Sequence, residues 1–401
     1  MAYNLPQIDK LFSRMDIDLL IGTSKESIQY FSGFSPVIKT LNPYYGQCYV
    51  MLHRNAPDTI HIVHSIGEID QILDADTPIH HVKTYGTFYR ESIESVDLTQ
   101  EEVKLQLLSQ VERSHPSPAE AAKALIIELK KDIDIKRVGY DKDGMTLQSL
   151  QYLQQEFPEL LWVEVSKQIR FSRQFKTSHE VELLTQSALI NESAIYDTAA
   201  FAKIGVSETE LAGRFNCALV QRGAFPSLTM LKIGRSAIGG QRRQRSDIYL
   251  QSGDLLWFDS DAIYQGFWSD IARVYSVGQP TPIIQKRYQA LQNGMLAALD
   301  FIRPGLTGRD VYSRVMDVVH RSGFPEYNRH HVGHAIGLEP YETPILSPSD
   351  NNIIEEGMVL SVETPYYEFG IGALHIEDPL LVGSPHNQFL TANPAPDLVR
   401  L

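Results

Sequence analysis

The sequence predicts two domains: an α/β layer domain in residues 1–165 and an α+β domain in residues 166–401. Strand-like and helix-like segments alternate in the first part of the chain, as they do in layered α/β folds. A polar, basic stretch and a helix start signal then separate the two parts. The second part contains a motif that occurs twice, which predicts a duplicated helix–helix–hairpin unit with pseudo-twofold symmetry.

The first domain is predicted from short β-rich runs that are bounded by polar residues or turns. Two further segments, 117–131 and 146–157, carry apolar residues at the helical spacing of about 3.6 residues. The predicted strands are 18–22, 49–52, 59–63, 137–141 and 160–165.

The boundary between the domains is predicted near residues 166–177, where the sequence SKQIRFSRQFKT is polar and basic. A long helix is expected to follow, because Thr177 and Glu180 have the spacing of a capping box. In a capping box, each of the two side chains accepts a hydrogen bond from the other residue's backbone amide. We therefore begin the second domain at residue 166.

The second domain contains an internal repeat, in which GVSETEL at 205–211 recurs as GLTGRDV at 305–311. In each copy a glycine ends one helix, and a hydroxyl residue followed by an acid three positions later begins the next. The second helices of the two copies end alike, at GAFP (223–226) and GFP (323–325). Each copy is followed by β-rich sequence with a pair of carboxylates.

The composition limits the classes of partner. The net charge of −13 argues against nucleic acid or an anionic membrane, since both favour basic surfaces. The N-terminal residues lack the features of a signal peptide, and no stretch approaches the roughly 20 apolar residues of a membrane span. Cys48 and Cys217 match no paired metal or redox spacing. We expect a cytoplasmic protein with reduced thiols.

The first β-rich segment of the repeat, 253–275, is predicted to be a hairpin that carries two aspartates. If Tyr264 and Gln265 form a two-residue turn, Asp259 and Asp270 lie directly opposite each other. Their Cβ atoms would then be about 4.5–5.5 Å apart. Opposed like charges destabilise a sheet, so we expect a cation between these two side chains.

The second β-rich segment, 363–377, repeats this arrangement with glutamates, because a loop centred on Gly370 places Glu363 opposite Glu377. A single acid is more typical of a solvated strand end. Here, however, Phe258 precedes Asp259 and a mostly apolar run precedes Glu363, which predicts burial. Four buried carboxylates in two pairs are unfavourable without bound cations.

A group of histidines, HHVGHAIG at 330–337, lies between the two hairpins. Lone histidines are more often structural than ligands, but Gly333 and Gly337 allow close backbone approach around His334. One histidine and four carboxylates form a mostly hard ligand set that suits Mn²⁺, Fe²⁺ or Co²⁺, with Zn²⁺ as a further option.

At these residues the chain resembles the M24 metallopeptidases, the pita-bread family of methionine aminopeptidase, aminopeptidase P, prolidase and creatinase. The resemblance runs through most of residues 176–383. YFSGF at 30–34 looks like the creatinase-type N-terminal domain, which indicates the Xaa-Pro peptidase and creatinase branch. The matching motifs are Gly253-Asp254, the Asp259/Asp270 spacing, GHAIG around His334, EGMV before Glu363, and Ile376-Glu377-Asp378.

The resemblance implies a creatinase-like α/β domain followed by an α+β pita-bread domain, and a centre of two divalent metal ions, with Mn²⁺ the first expectation. In the family pattern Asp270 and Glu377 bridge the ions, Asp259 completes one of them, and His334 and Glu363 complete the other. All five ligands are present, unlike in creatinase, which has lost metal ligands.

The resemblance also implies catalytic roles. A water molecule whose pKa is lowered by the two ions is the expected nucleophile. Glu363 matches the general base, His330 matches a histidine that helps to place the substrate, and Tyr367 matches a tyrosine behind the ligands.

Four positions depart from the pattern of prolyl-specific relatives, which have histidines at Arg242 and Tyr341, an arginine at His375 and a glycine at Asp261. Tyr341 is expected to act as a hydrogen-bond donor, with a role in the pocket wall as the alternative, and His375 is a further catalytic candidate. Arg242 either binds a substrate carboxylate or belongs to a solvated basic loop. Asp261 is expected to face outward, with a role as an extra ligand as the alternative.

The resemblance implies a metal-dependent hydrolase of a C–N amide bond that acts on short Xaa-Pro-like peptides and forms a homodimer. One alternative is a specialised enzyme that uses the same metal pair on a small metabolite, which the changed residues favour. The other is an inert binding protein of the same fold.

Overall fold

The computed structural model of the protein describes residues 3–93 and 95–401. The chain forms two compact units, residues 1–173 and residues 174–401. The predicted boundary after residue 165 precedes a short helix, Ser166–Arg173, that the first unit includes.

The first unit contains a mixed sheet of six strands in the order β4-β3-β2-β1-β5-β6. The five strands predicted from the sequence are present. The sequence prediction missed β4, which lies at the edge of the sheet, where a strand carries more polar residues and a weaker apolar pattern. The strands are β1 (Leu19–Gly22), β2 (Tyr49–His53), β3 (Ala56–Ser65), β4 (Ile79–Tyr85), β5 (Arg137–Tyr140) and β6 (Leu161–Glu164).

The helices of the first unit include the two that the sequence predicts, α5 and α6, which begin after the N-cap residues Ser117 and Thr146. Each cap side chain accepts a hydrogen bond from a backbone amide in the first turn. The helices are α1 (Leu5–Met15), α2 (Lys25–Ser32), α3 (Val37–Leu41), α4 (Gln100–Leu108), α5 (Pro118–Leu129), α6 (Leu147–Glu156) and α7 (Ser166–Arg173), with 3₁₀ helices at Ile66–Asp74 and Val111–Arg113.

The second unit is built on a sheet in the order β11-β10-β12-β15-β9-β8-β7, with β16 paired to β15, β17 paired to β9, and β13 and β14 forming a separate ribbon. Its strands are β7 (Phe225–Ile233), β8 (Leu255–Tyr264), β9 (Phe267–Ser276), β10 (Gly333–Ala335), β11 (Glu342–Ile345), β12 (Val359–Glu363), β13 (Tyr366–Glu368), β14 (Gly372–Leu374), β15 (Glu377–Leu381), β16 (Gln388–Phe389) and β17 (Val399–Arg400).

Four helices of the second unit pack against its sheet and against each other: α8 contacts β8 and β9, α9 contacts β7, and α10 contacts β12 and α11. Among the described residues, no helix combines the length and the apolar composition that a membrane crossing requires. The helices are α8 (Ser178–Phe201), α9 (Glu208–Gln221), α10 (Pro282–Phe301) and α11 (Gly308–Arg321), with a 3₁₀ helix at Gly234–Gly239.

The internal repeat has the same backbone structure in both copies. The predicted capping box at Thr177 begins α8, and Ser207 and Thr307 form the equivalent boxes that begin α9 and α11. The amide of Gly205 donates to the Leu250 carbonyl, and the amide of Gly305 donates to the Ile354 carbonyl. The helix–helix–hairpin unit is therefore present twice, as the sequence predicts.

The first hairpin corrects the predicted register. Its turn consists of Gln265 and Gly266, which both have positive φ angles of 47° and 85°. Such a two-residue turn needs positive φ at both positions, and glycine at the second position meets this need. The shift of one residue places Asp259 opposite Ala272 rather than opposite Asp270. The expected direct pairing of Asp259 with Asp270 is wrong, although both side chains still lie on one face of the sheet.

The second hairpin has the predicted register. Glu363 pairs with Glu377, and the ribbon of β13 and β14 continues the same pairing towards Gly370, whose φ is 90°. Here the glycine signal identified the centre of the loop correctly.

A buried arginine, Arg273 on β9, connects the sheet to α8. Its guanidinium donates to the Glu377 carbonyl at 2.8 Å, to Asp378 at 2.6 Å and to Glu192 of α8 at 3.2 Å. Because Asp378 and Glu192 are buried as well, their charges depend on this one cation. The arginine thereby holds the backbone of Glu377 in position at the start of β15.

We expect Arg273→Met to lower the free energy of unfolding of the second unit by about 3–5 kcal/mol, because two buried carboxylates lose their counter-charge. Urea titration followed by circular dichroism measures this change. Arg245→Met is the matched control, because Arg245 forms its ion pair with exposed Asp247 and this substitution should leave stability almost unchanged. Equal effects of the two substitutions would contradict the role of Arg273.

Candidate metal centre

Five neighbouring strands of the second sheet bring the predicted ligands together. The strands β10, β12, β15, β9 and β8 lie side by side in this order. In one row across the sheet, Glu363 pairs with Glu377, Glu377 with Ala272, and Ala272 with Asp259. Directly opposed residues point to the same face, so the three acids of this row share one side of the sheet. Asp270 lies two residues from Ala272 on β9 and therefore faces the same side.

Five potential ligand residues form two overlapping groups of three, each with all ligand atoms within 4.8 Å of one another, and the predicted ligand Glu363 belongs to neither group. One group consists of Asp259, His375 and Glu377, and the other of Asp270, His334 and Glu377. All of these residues are buried. Glu377 belongs to both groups, so its carboxylate lies between two potential cation sites.

A backbone contact favours one tautomer of the His334 ring. Nδ1 lies 3.1 Å from the Ala335 carbonyl and donates to it, so in the neutral ring Nε2 carries the lone pair. Nε2 lies 3.7 Å from Asp270 and 3.8 Å from Glu377. This is the arrangement of a metal-binding histidine whose other nitrogen is held by a carbonyl.

Two histidines contact Glu363 from different sides. His331 Nδ1 lies 2.8 Å from Oε1, and His375 Nε2 lies 3.1 Å from Oε2. Burial opposes ionisation of Glu363, but the two imidazole contacts outweigh it and hold the pKa of this carboxyl well below its ordinary value. Glu363 is therefore a carboxylate at neutral pH.

His375 lies among three acids, 3.5 Å from Asp259, 3.1 Å from Glu363 and 3.5 Å from Glu377. Burial by itself lowers the pKa of a histidine, but Asp259 and Glu363 raise the pKa of His375 to about 9. Its imidazole also stacks on Trp257, with ring centroids 6.4 Å apart. His375 is thus a side chain that can be either a cation or a nitrogen ligand.

Asp261 does not face outward, which corrects the sequence-based expectation. The register of the first hairpin places it directly opposite Asp270, and it is buried. Burial, followed by the charges of Asp270 and Asp259, raises the pKa of Asp261 well above its ordinary value. The prediction failed because it used the hairpin register that proved wrong by one residue.

The side chains fit a pair of divalent ions. His334 Nε2 and Asp270 Oδ1 are buried and have no hydrogen-bond partner among the described residues, so each has a lone pair that an ion would use. Burial and the other acids raise the pKa of Glu377, which a bound cation would reverse. Carboxylates and imidazole together suit Mn²⁺, Fe²⁺, Co²⁺ or Zn²⁺.

A cavity of about 360 Å³ opens beside Asp259 and Glu363. Tyr341 stacks on His334 with ring centroids 3.8 Å apart, and Tyr367 meets Trp257 edge-on at 5.9 Å. The phenols of Tyr341 and Tyr367 stay protonated, because burial and the neighbouring acids raise their pKa values. The cavity is lined by Met230, Ile238, Gly240, Gln241, Trp257, Asp259, Arg329, His330, His331, Tyr341, Glu363 and Tyr367.

Two residues that line the cavity were not predicted from the sequence. His331 contacts Glu363 directly, whereas the predicted His330 is exposed and lies edge-on to the His331 ring at 4.1 Å. Arg329 lies over the Tyr367 ring at 5.6 Å. Arg242 instead lines a separate exposed groove formed by residues 242–247. A run of histidines in a sequence does not reveal which ring points into the cavity. A single arginine forms no sequence pattern that would predict its place in the cavity.

This centre, in which buried carboxylates and histidines surround two cation positions beside a cavity, defines a metal-dependent hydrolase. The chain belongs to metallopeptidase family M24, whose model matches residues 182–384. The creatinase/prolidase N-terminal domain matches residues 5–174. M24 enzymes are dinuclear metal enzymes, in agreement with the two overlapping ligand groups.

Related proteins include peptidases from several organisms. An uncharacterized peptidase of Bacillus subtilis, YqhT, is 30% identical over 65% of this chain and 74% of its own length. An Xaa-Pro dipeptidase of Pyrococcus horikoshii is 30% identical over 57% of this chain and 65% of its own. The fold is that of an Xaa-Pro dipeptidase structure from Bacillus anthracis, with a TM-score of 0.79, 23% identity and 99% of both chains covered.

The raised pKa of Asp261 predicts how the stability of the protein depends on pH. In metal-free protein, protonated Asp261 contributes its full stability to the fold below about pH 4, where the aspartate of the unfolded chain is also protonated. This stability is lost as the pH rises, because only the unfolded state then releases the proton readily. Asparagine at this position does not ionise. The free energy of unfolding of Asp261→Asn should therefore rise relative to that of wild type by at least about 1 kcal/mol between pH 4 and pH 8.

Calorimetric melts of both proteins after dialysis against chelator measure this difference. Asp300→Asn is the control, since Asp300 is exposed and lies outside the two groups of acids. A constant difference between wild type and Asp261→Asn across this pH range would show that Asp261 is not protonated in the folded state.

Proposed function

We propose that this protein is an Mn²⁺-dependent peptidase that hydrolyses Xaa-Pro bonds in short peptides. The observation that carries the proposal is Glu377, whose carboxylate belongs to both three-residue ligand groups and so suits two adjacent ions. Two relatives, the Xaa-Pro dipeptidases of Pyrococcus horikoshii and Lactobacillus helveticus, support the substrate class.

We assign five residues as the metal ligands: Asp259, Asp270, His334, Glu363 and Glu377. Asp270 and Glu377 would each contact both ions. Two bound divalent ions would lower the pKa of the attacking water and polarise the scissile carbonyl. Mn²⁺ is the proposed metal because oxygen atoms dominate the ligand set.

Glu363 is proposed as the general base, since its carboxylate is ionised and lines the cavity. It would accept a proton from water and deliver it to the leaving amine. His331 and His375 orient this carboxylate through their contacts with its two oxygens. They act as positioning residues, and His375 also balances the charge of Asp259.

Tyr341 is proposed as the donor that stabilises the oxyanion formed from the scissile carbonyl. Its ring stacks on His334, and its phenol is protonated, so the hydroxyl can donate a hydrogen bond. His330 and Tyr367 line the same cavity and are proposed to hold the substrate beside it.

The proposed substrates are short because the cavity of about 360 Å³ lies near the lower limit for ligand sites, which is about 300 Å³. Arg329 supplies a cation in this cavity and is proposed to bind the substrate's terminal carboxylate. Arg242 lines a different groove, so we propose no substrate contact for it. A homodimer and a cytoplasmic location complete the proposal.

Purified protein with Mn²⁺ is expected to cleave at least one Xaa-Pro dipeptide, and Asp270→Ala or a chelator should each abolish this cleavage. Loss of a ligand shared by both ions removes the chemistry that the metals provide. Release of proline from a panel of dipeptides measures the activity, and elemental analysis measures bound metal. Asp247→Ala, which alters an exposed acid, should retain full activity.

Full activity of Asp270→Ala would refute the ligand assignment. Two bound ions per chain without turnover across the panel would refute the Xaa-Pro substrate. The second candidate function, hydrolysis of a small metabolite, would then apply. Tyr341 and His375 favour it, because they stand where the prolyl-specific pattern has other residues.

Arg329→Gln is expected to raise KM about 10- to 100-fold for dipeptides with a free carboxylate, because a charge-assisted hydrogen bond is lost. The same substitution should change KM little for the corresponding dipeptide amides. Arg242→Gln is the matched control and should leave both values unchanged. Steady-state kinetics with each dipeptide and its amide measures these KM values. An equal rise in KM for the dipeptides and their amides in Arg329→Gln would contradict the assignment.

A further inference from the structure

A second cluster of histidines lies in the first unit, on adjacent strands of its sheet. His53 is at the end of β2, His61 is on β3, and His80 and His81 are consecutive on β4. The ring centroids of His61 and His81 are 5.1 Å apart, those of His53 and His61 are 5.6 Å apart, and those of His80 and His81 are 4.3 Å apart. These residues take no part in the metal centre of the second unit.

The backbone brings these rings together through an irregularity in strand pairing. On the parallel strands β3 and β4, Ile60 pairs with Ile79 and Ile62 pairs with Val82. Between these pairs, one residue of β3, His61, faces two residues of β4, His80 and His81. Such a bulge redirects a side chain that regular pairing would turn to the opposite face. Both β4 histidines can therefore approach the His61 ring.

His61 is 1% exposed, and neither of its ring nitrogens has a hydrogen-bond partner among the described residues. Burial, followed by the neighbouring histidines, lowers the pKa of His61 to about 3. The ring is therefore neutral, with one lone pair available. A buried polar atom without a partner is costly, so this nitrogen points to a ligand.

His81 is oriented for ligation by a carboxylate of α5. Its Nδ1 lies 2.8 Å from Glu128 Oε1, and the other oxygen of Glu128 pairs with Lys83. Donation from Nδ1 to Glu128 leaves the Nε2 lone pair free. A carboxylate that holds the second nitrogen of a histidine is the usual support of a metal-binding imidazole.

We propose that His61, His80 and His81 bind a divalent ion such as Zn²⁺, with His53 or water as the fourth ligand. One nitrogen from each of the three lies within 4.8 Å of the others. Tetrahedral zinc with Zn–N bonds of about 2.0–2.1 Å needs nitrogens about 3.3 Å apart. The exposed His80 ring can rotate to shorten its distances to the other two rings.

The chemistry of this site differs from that of the carboxylate centre. Three imidazoles favour Zn²⁺, Ni²⁺ or Cu²⁺, whereas a centre dominated by oxygen atoms also suits Mn²⁺. A bound ion would link the edge strand β4 to β3, and so would stabilise this edge of the sheet. We assign the site a structural role, because its ligands come from two adjacent, hydrogen-bonded strands and it is separate from the proposed catalytic residues.

The test uses the full-length protein and Zn²⁺. Equilibrium dialysis at buffered free Zn²⁺, followed by elemental analysis, should find one ion fewer per chain in His61→Gln and His80→Gln than in wild type. Glu128→Gln should retain the site with about 10- to 100-fold weaker affinity. His64→Gln is the matched control, since His64 is buried on the opposite side of β3, where its Nδ1 contacts the Ser65 carbonyl.

His80 is exposed, so its replacement should not unfold the protein. Wild-type zinc content and affinity in both His61→Gln and His80→Gln would overturn the proposal. Peptidase activity with Mn²⁺ should be unchanged in His80→Gln, which separates this site from the proposed catalytic centre. Loss of zinc binding in His64→Gln equal to that in His61→Gln would also count against a defined site.

Discussion

The second unit depends on one constraint, the burial of five acidic side chains on one face of a sheet. Burial and, after it, the charges of the neighbouring carboxylates raise the pKa values of Asp259, Asp261 and Glu377. A fold that keeps such groups together needs cations. The histidines beside Glu363 provide part of this compensation, and two divalent ions would provide the rest.

The sheet meets this constraint by distributing the ligands over five adjacent strands, so that backbone hydrogen bonds fix their spacing. Arg273 adds a cation of its own and holds the Glu377 carbonyl at 2.8 Å, away from the metal-facing carboxylate. Two residues that depart from the prolyl-specific pattern expected from the sequence, His375 and Tyr341, lie around this core. His375 contacts three of the acids, whereas Tyr341 covers His334 at the cavity.

The two histidine-containing sites illustrate how a sheet positions ligands. In the second unit, regular pairing aligns Glu363 with Glu377 across neighbouring strands. In the first unit, an irregular pairing brings His80 and His81 to the ring of His61. Regular pairing can be read from spacing, but a bulge inserts a residue that no periodic pattern predicts. The histidine cluster was absent from the sequence prediction for this reason, as was the edge strand β4.

The sequence by itself determined the two-domain fold class, the duplicated helix–helix–hairpin unit and the residues that the structure gathers at the centre, because capping boxes, glycines and strand periodicity are local signals. It also predicted that Glu363 faces Glu377. Only the tertiary structure decided that Asp261 faces Asp270, since a one-residue change of turn moves every cross-strand partner. It likewise decided that Arg329 rather than Arg242 lines the cavity. Side-chain direction depends on packing between segments distant in sequence, and no local pattern carries that information.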